Sequence, residues 1–166
     1  MKENVDGESF RLLFVCTGNT CRSPLAEAIA RQRLAVLGWA HVEVRSAGSA
    51  AGEGLPPSQG AVAAAERHGL DVSGHRSATL SPELVEWADL ILTMGPSHLL
   101  RALELGGDGR SALLTAFAQG EHDEEEDPEG VPDPWGGDDD DYERAYQALE
   151  RLVETALRRL EPILAP

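Results

Sequence analysis

The sequence predicts a single-domain α/β fold, a four-stranded parallel sheet with helices on both faces. Three observations lead there. The chain has 166 residues, which suits one domain with one core. Strand-like and helix-like patterns alternate along it, the signature of a parallel sheet covered on both sides. The first apolar run, Leu12 to Val15, is continuous rather than alternating, as expected of a strand buried on both faces.

Taken in order, Leu12-Leu13-Phe14-Val15 reads as the first strand, and Thr17-Gly18-Asn19-Thr20 breaks it. Ser23-Pro24 offers a capping side chain and a proline at the first helical position, opening a helix to about Leu37. Leu25, Ala26, Ile29, Ala30, Leu34 and Leu37 form its apolar stripe. His41 to Arg45 alternates as a second strand, and Gly52 to Pro57 is a loop. Ser58 to His68 is an Ala-rich helix stopped by Gly69. Ser81-Pro82-Glu83 starts a further short helix. Asp89 to Thr93 is a third strand, followed by a helix from Pro96 to Leu105. Ser111 to Ala116 is expected as the fourth strand, and Tyr142 to Leu160 as a final amphipathic helix. No internal repeat is present. Residues 1–10 are expected to be a disordered extension, and 11–166 the domain, with an acidic loop at about 118–141.

Composition excludes several classes. No apolar run approaches the ~18 residues that cross a bilayer, and Met1 to Phe10 lacks the basic start and apolar stretch of a secretory signal. A cytoplasmic monomer is expected, with no membrane partner. The net charge of −15 is concentrated: residues 121–143 hold 13 of the 29 acidic groups and no Lys or Arg. The rest of the chain is nearly neutral, so no basic face is available for nucleic acid. The acidic run is either a solvated loop or a functional surface. Cys16 and Cys21 are the only cysteines. Two thiols in a cytosolic chain point to reactive chemistry rather than a disulfide framework, and neither has ligand partners at metal-finger spacing, so no metal is expected.

The chemistry concentrates in Cys16-Thr17-Gly18-Asn19-Thr20-Cys21-Arg22-Ser23, a Cys-x5-Arg-Ser loop between a strand and a helix. Backbone N–H groups of such a loop, with the unpaired ones of a helix N-terminus, converge on an anion. Gly18 lets the backbone turn closely, and Asn19 tolerates a left-handed conformation. Arg22 supplies a planar fork for two phosphate oxygens. The same positive field favours a thiolate at Cys16, and Ser23 can donate to it. A cysteine at a strand end is often only a small core residue. The added Gly, Asn and Ser-Pro in this setting argue for the nucleophile.

Phe14 to Glu27, with its Cys-Thr-Gly-Asn-Thr-Cys-Arg-Ser-Pro-Leu-Ala-Glu core, resembles the signature of low-molecular-weight protein tyrosine phosphatases. Ser46-Ala47-Gly48, Gly74 to Ser77, Ala88 to Met94 and Pro132-Asp133-Pro134-Trp135 follow in the expected order, so the resemblance covers nearly all of the chain after residue 10. It implies the flavodoxin-like fold of that family and a phosphatase without cofactor, working through a cysteinyl-phosphate intermediate. Asp133 matches the general acid, which protonates the leaving group and then takes a proton from water. Trp135 matches a wall of the substrate cleft, although a partly buried loop aromatic is an equal reading. Ser46 and His75 match supports of Asn19. Cys21 either traps oxidised Cys16 as a disulfide or simply packs beneath the loop.

Thr20 stands where tyrosine-specific members carry a bulky aliphatic residue, and Asp133-Pro134-Trp135-Gly136-Gly137 lacks their paired tyrosines. The loop is most similar to the bacterial branch that dephosphorylates protein arginine. Protein-arginine phosphatase is therefore the expected activity, protein-tyrosine phosphatase the alternative. The substrates are phosphorylated proteins, with basic segments drawn by the acidic run. A thioredoxin-coupled arsenate reductase would need cysteines beyond Cys21, and there are none. A phosphate-binding module would have no use for a thiolate or for an acid at Asp133.

Overall fold

Along the first strand, Leu12, Phe14 and Cys16 face one hydrophobic cluster, while Leu13 and Val15 face another. A strand apolar on both faces belongs inside a sheet, and β1 (Phe10–Cys16) is central. The computed structural model describes residues 9–120 and 130–166. In it β1 pairs in parallel with β2 (Val42–Gly48) on one side and β3 (Leu90–Thr93) on the other. β4 (Ser111–Leu113) extends the parallel sheet beyond β3, giving the order β2-β1-β3-β4.

Six helices complete the described residues: α1 (Arg22–Leu37), α2 (Gln59–Arg67), α3 (Pro82–Trp87), α4 (Pro96–Glu104), α5 (Leu114–Gln119) and α6 (Asp139–Leu164). The larger cluster joins β1 to Leu25, Ile29 and Leu34 of α1, and to Tyr146, Leu149, Val153 and Leu157 of α6. The smaller cluster joins its other face to Val85 of α3 and Ala102 of α4. The chain leaves β1 toward β2 and later returns to β3 on the opposite side. That reversal opens a crevice at the C-terminal end of β1, where Cys16 lies.

Several expected boundaries move, each for a local reason. β1 begins at Phe10, whose buried side chain joins the core, so residue 10 belongs to the domain rather than to an extension. The expected strand at Ser111 to Ala116 ends at Leu113 and turns into α5, because Leu114 and Ala118 bury a helical face. Ser23 does not cap α1: the helix starts at Arg22 without a side-chain cap, and the Ser23 hydroxyl is turned to the loop instead. Ser58 and Ser81 do cap α2 and α3, accepting from Ala61 N at 3.3 Å and Leu84 N at 3.2 Å. The acidic loop closes earlier than residue 141, since α6 starts at Asp139 on a reciprocal cap between Asp138 and Asp141. Asp139, Asp140 and Asp141 complement the positive end of its dipole. The acidic residues at 121–129 lie outside the described residues. No helix among those described is long and apolar enough to cross a membrane.

Candidate active site

Asn19 is the hub of the loop. Its φ of +57° is the only left-handed non-glycine conformation among the described residues. The side-chain amide donates to Ser23 Oγ at 2.8 Å and Ser46 Oγ at 2.9 Å, and its oxygen accepts from Ala78 N at 2.9 Å. His75 Nε2 donates to the Asn19 carbonyl at 2.8 Å. Ser46 and His75 thus meet Asn19 as expected. Ser46 Oγ in turn donates a hydrogen bond to Glu27 Oε1 at 2.9 Å, so the chain of bonds ends on a carboxylate beside Arg31.

Ser23 Oγ lies 2.9 Å from Cys16 Sγ. Because Ser23 already accepts from Asn19, its remaining proton points best at the sulfur, the competing Ala47 carbonyl being at 3.5 Å. An O–H aimed at sulfur stabilises a thiolate over a thiol. Both cysteines are free and buried. Cys21 Sγ donates to Ser58 Oγ at 3.2 Å and lies 3.6 Å from the Tyr142 hydroxyl.

The glycine that the loop demands is Gly48, not Gly18. A Cβ on Gly18 would meet nothing nearer than Thr20 Oγ1 at 3.6 Å, whereas one on Gly48 would overlap the Thr17 carbonyl oxygen. The end of β2 therefore has to be bare for the loop to close over it. Thr20 is half-buried, and its carbonyl accepts from Ser58 N at 3.0 Å.

Arg22 is buried, its side chain 7% exposed, yet its bonds leave part of the fork unused. Nη1 donates to the Val131 carbonyl at 2.9 Å. Nη2 has only long contacts, 3.4 Å to Thr17 Oγ1 and 3.5 Å to Asp133 Oδ2. Nε is buried and has no partner among the described residues. A buried cation with donors unspent is suited to an anion.

Asp133 lies in the segment after Val131, its side chain 49% exposed, with Oδ1 accepting from Trp135 N at 3.1 Å. The ion pair with Arg22 brings it to the loop, as the resemblance implies. Trp135 is 74% exposed, over a groove shared with Arg144 and Ala148, which excludes the partly buried alternative. Three contributors escaped the sequence reading. Val131 anchors the segment that carries Asp133, donating to Met94 O at 2.7 Å while its carbonyl receives Arg22. Glu27 terminates the Asn19–Ser46 chain, and its only signal was its place in the Pro-Leu-Ala-Glu motif. His98 is buried with Nε2 2.8 Å from Thr17 Oγ1. Nothing in its local sequence marks it. Among the described residues no group of three or more His, Cys, Asp or Glu side chains could hold a metal.

Known proteins resemble this chain in sequence and in fold. Residues 11–162 match the family model described as low molecular weight phosphotyrosine protein phosphatase. A protein-arginine-phosphatase of Geobacillus stearothermophilus is 33% identical, over 92% of this chain and 97% of its own length. The low molecular weight protein-tyrosine-phosphatase Etp of Escherichia coli K12 is also 33% identical, over 90% and 93%. Among solved structures, a cysteine-to-serine mutant of YwlE arginine phosphatase with a phosphorylated active-site serine superposes with a TM-score of 0.83. It is 34% identical and covers 92% of this chain and 96% of that one.

Proposed function

This chain belongs to the low molecular weight phosphotyrosine protein phosphatase family and is a protein phosphatase with a cysteine nucleophile; we propose that it hydrolyses phosphoarginine on proteins, with Cys16, Arg22 and Asp133 as the reacting groups. The observation that carries the chemistry is the Asn19–Ser23–Cys16 chain, which aims a hydroxyl proton at the sulfur. The Cys16 thiolate attacks phosphorus as the P–N bond to the substrate guanidine breaks. Asp133 gives its proton to the departing nitrogen. Water then attacks the cysteinyl phosphate, returning its proton to Asp133, and inorganic phosphate leaves with the S–P bond broken. Arg22 Nε and Nη2, the donors without close partners, are suited to two oxygens of the transferred group, and loop N–H groups to the rest.

Thr20 favours arginine over tyrosine. A hydroxyl in the loop can pair with a guanidine-bearing substrate or orient water, whereas an aliphatic side chain there would pack on an aryl ring. The protonated Asp133 carboxyl can also accept a hydrogen bond from a guanidine N–H through its carbonyl oxygen while its O–H is aimed at the departing nitrogen. The acidic charge at residues 121–143 supports basic protein segments as substrates, and their turnover should weaken as salt rises.

Tyrosine is the second reading, favoured by the name of the matched family and by the Escherichia coli relative. Rates on paired phosphoarginine and phosphotyrosine peptides decide. The arginine peptide should be preferred by kcat/KM, and Thr20→Ile should move preference toward tyrosine by about tenfold. A parent enzyme that prefers phosphotyrosine would overturn the arginine reading.

A further inference from the structure

His98 is buried in the first turn of α4. Nε2 lies 2.8 Å from Thr17 Oγ1, whereas Nδ1 is buried with no partner among the described residues. The Nδ1 edge faces the bare backbone of Gly95, where a Cβ would stand 3.5 Å from the ring. A buried N–H without an acceptor costs more than an unused lone pair, which sets the tautomer: the proton sits on Nε2 and is donated to Thr17. The same Thr17 oxygen accepts from Arg22 Nη2, the arm with only long contacts. Burial holds the imidazole neutral, its pKa pushed down to about 4, with Arg22 adding to the effect and Asp133 opposing it. A neutral His beside Arg22 adds no competing charge.

We propose that His98 is a positioning residue for the phosphate cradle: its Nε2–H fixes the Thr17 hydroxyl, and Thr17 fixes the arm of Arg22 that must turn onto the phosphoryl group. Without this bond Thr17, an exposed residue, could rotate and leave that arm without its guide. The inference rests on the phosphatase reading above and is indifferent to which phosphoamino acid is the substrate.

The test uses the full chain and para-nitrophenyl phosphate, with inorganic phosphate as competitive inhibitor. The amide nitrogen of Gln can stand near Nε2, and that of Asn near Nδ1, so the two substitutions separate the donor from mere packing. His98→Asn and His98→Ala should lose about tenfold in kcat/KM and weaken phosphate inhibition by a similar factor, the size of one lost hydrogen bond. His98→Gln should stay within about threefold of the parent on the same scale. In a Thr17→Val background the His98 substitutions should cost nothing further, because the shared bond is already gone. Gln as damaging as Asn, or losses that add to those of Thr17→Val, would overturn the assignment. An inactive parent enzyme would instead overturn the phosphatase reading itself.

Discussion

Two loops meet across Arg22 and are built in opposite ways. In the loop from Cys16 to Ser23, Asn19 is fully buried, its side chain makes three hydrogen bonds and its carbonyl a fourth. In the segment from Gly130 to Gly137, Asp133 and Trp135 are open to solvent. The connection of that segment to the rest runs chiefly through Val131, bonded to Met94 and Arg22. The difference follows from what each must do. Donors that stabilise a transferring phosphoryl group work only if they are already fixed. The acid proposed at Asp133 would admit a protein side chain first and meet the leaving group afterwards, a task that a sparsely anchored strap suits.

The largest expected effects lie on the two sides of this contrast. Cys16→Ser should abolish hydrolysis, a fall beyond about 10^4-fold, while inorganic phosphate still binds. Asp133→Asn should cost about 10^2- to 10^3-fold on substrates with poor leaving groups, and far less on para-nitrophenyl phosphate, whose phenolate needs little protonation. Equal loss on both substrates would show that Asp133 acts through the cradle and not on the leaving group, and the contrast would break.

Next come substitutions that disturb one loop and spare the other. Asn19→Ala leaves the Ala78 N–H without a partner, removes the donor to Ser46 Oγ and Ser23 Oγ, and forces an alanine to φ +57°. It should lower unfolding free energy by ~2–4 kcal/mol in urea titrations and remove most activity. A Cβ on Gly130 would overlap the Met94 carbonyl oxygen, so Gly130→Ala should displace Val131 and release Arg22 Nη1. There the expected loss is about tenfold in kcat/KM with ~1 kcal/mol or less in stability. If Gly130→Ala proved the more destabilising of the two, the strap would be better anchored than the contacts of Val131 suggest.

The same contrast explains what could be read from the sequence. Cys16, Arg22, Asn19 and Ser23 lie within eight residues, where the chemistry of the loop is local and spacing carries it. Ser46, His75 and Asp133 sit on distant segments and entered only through a resemblance. Gly48 is needed because the end of β2 passes under Thr17, a crossing that no local pattern encodes. Ser23 shows the reverse. Its residue type fitted a helix cap, and tertiary partners claimed the hydroxyl instead. The expected fourth strand runs past Leu113 for a similar reason, since Leu114 and Ala118 are apolar in a strand or a helix, and packing selects the helix.

A last effect tests the His98 side of the cradle through its proton balance. His98 is held to about 4 in the folded chain, chiefly by burial, then by the Arg22 charge, with Asp133 pulling the other way. Unfolded, it returns to the ordinary value of 6.5. As pH falls below 6.5 the unfolded chain takes up a proton that the folded chain refuses until about 4. Stability from this group is therefore complete above pH 6.5 and is lost progressively down to pH 4. Between pH 7.5 and pH 5 the loss is ~2 kcal/mol. Urea unfolding at these two pH values should show the parent losing that much more than His98→Gln, which cannot titrate. Equal losses in the two proteins would mean that water reaches the imidazole, and that the fixed side of the active site is less closed than its hydrogen bonds imply.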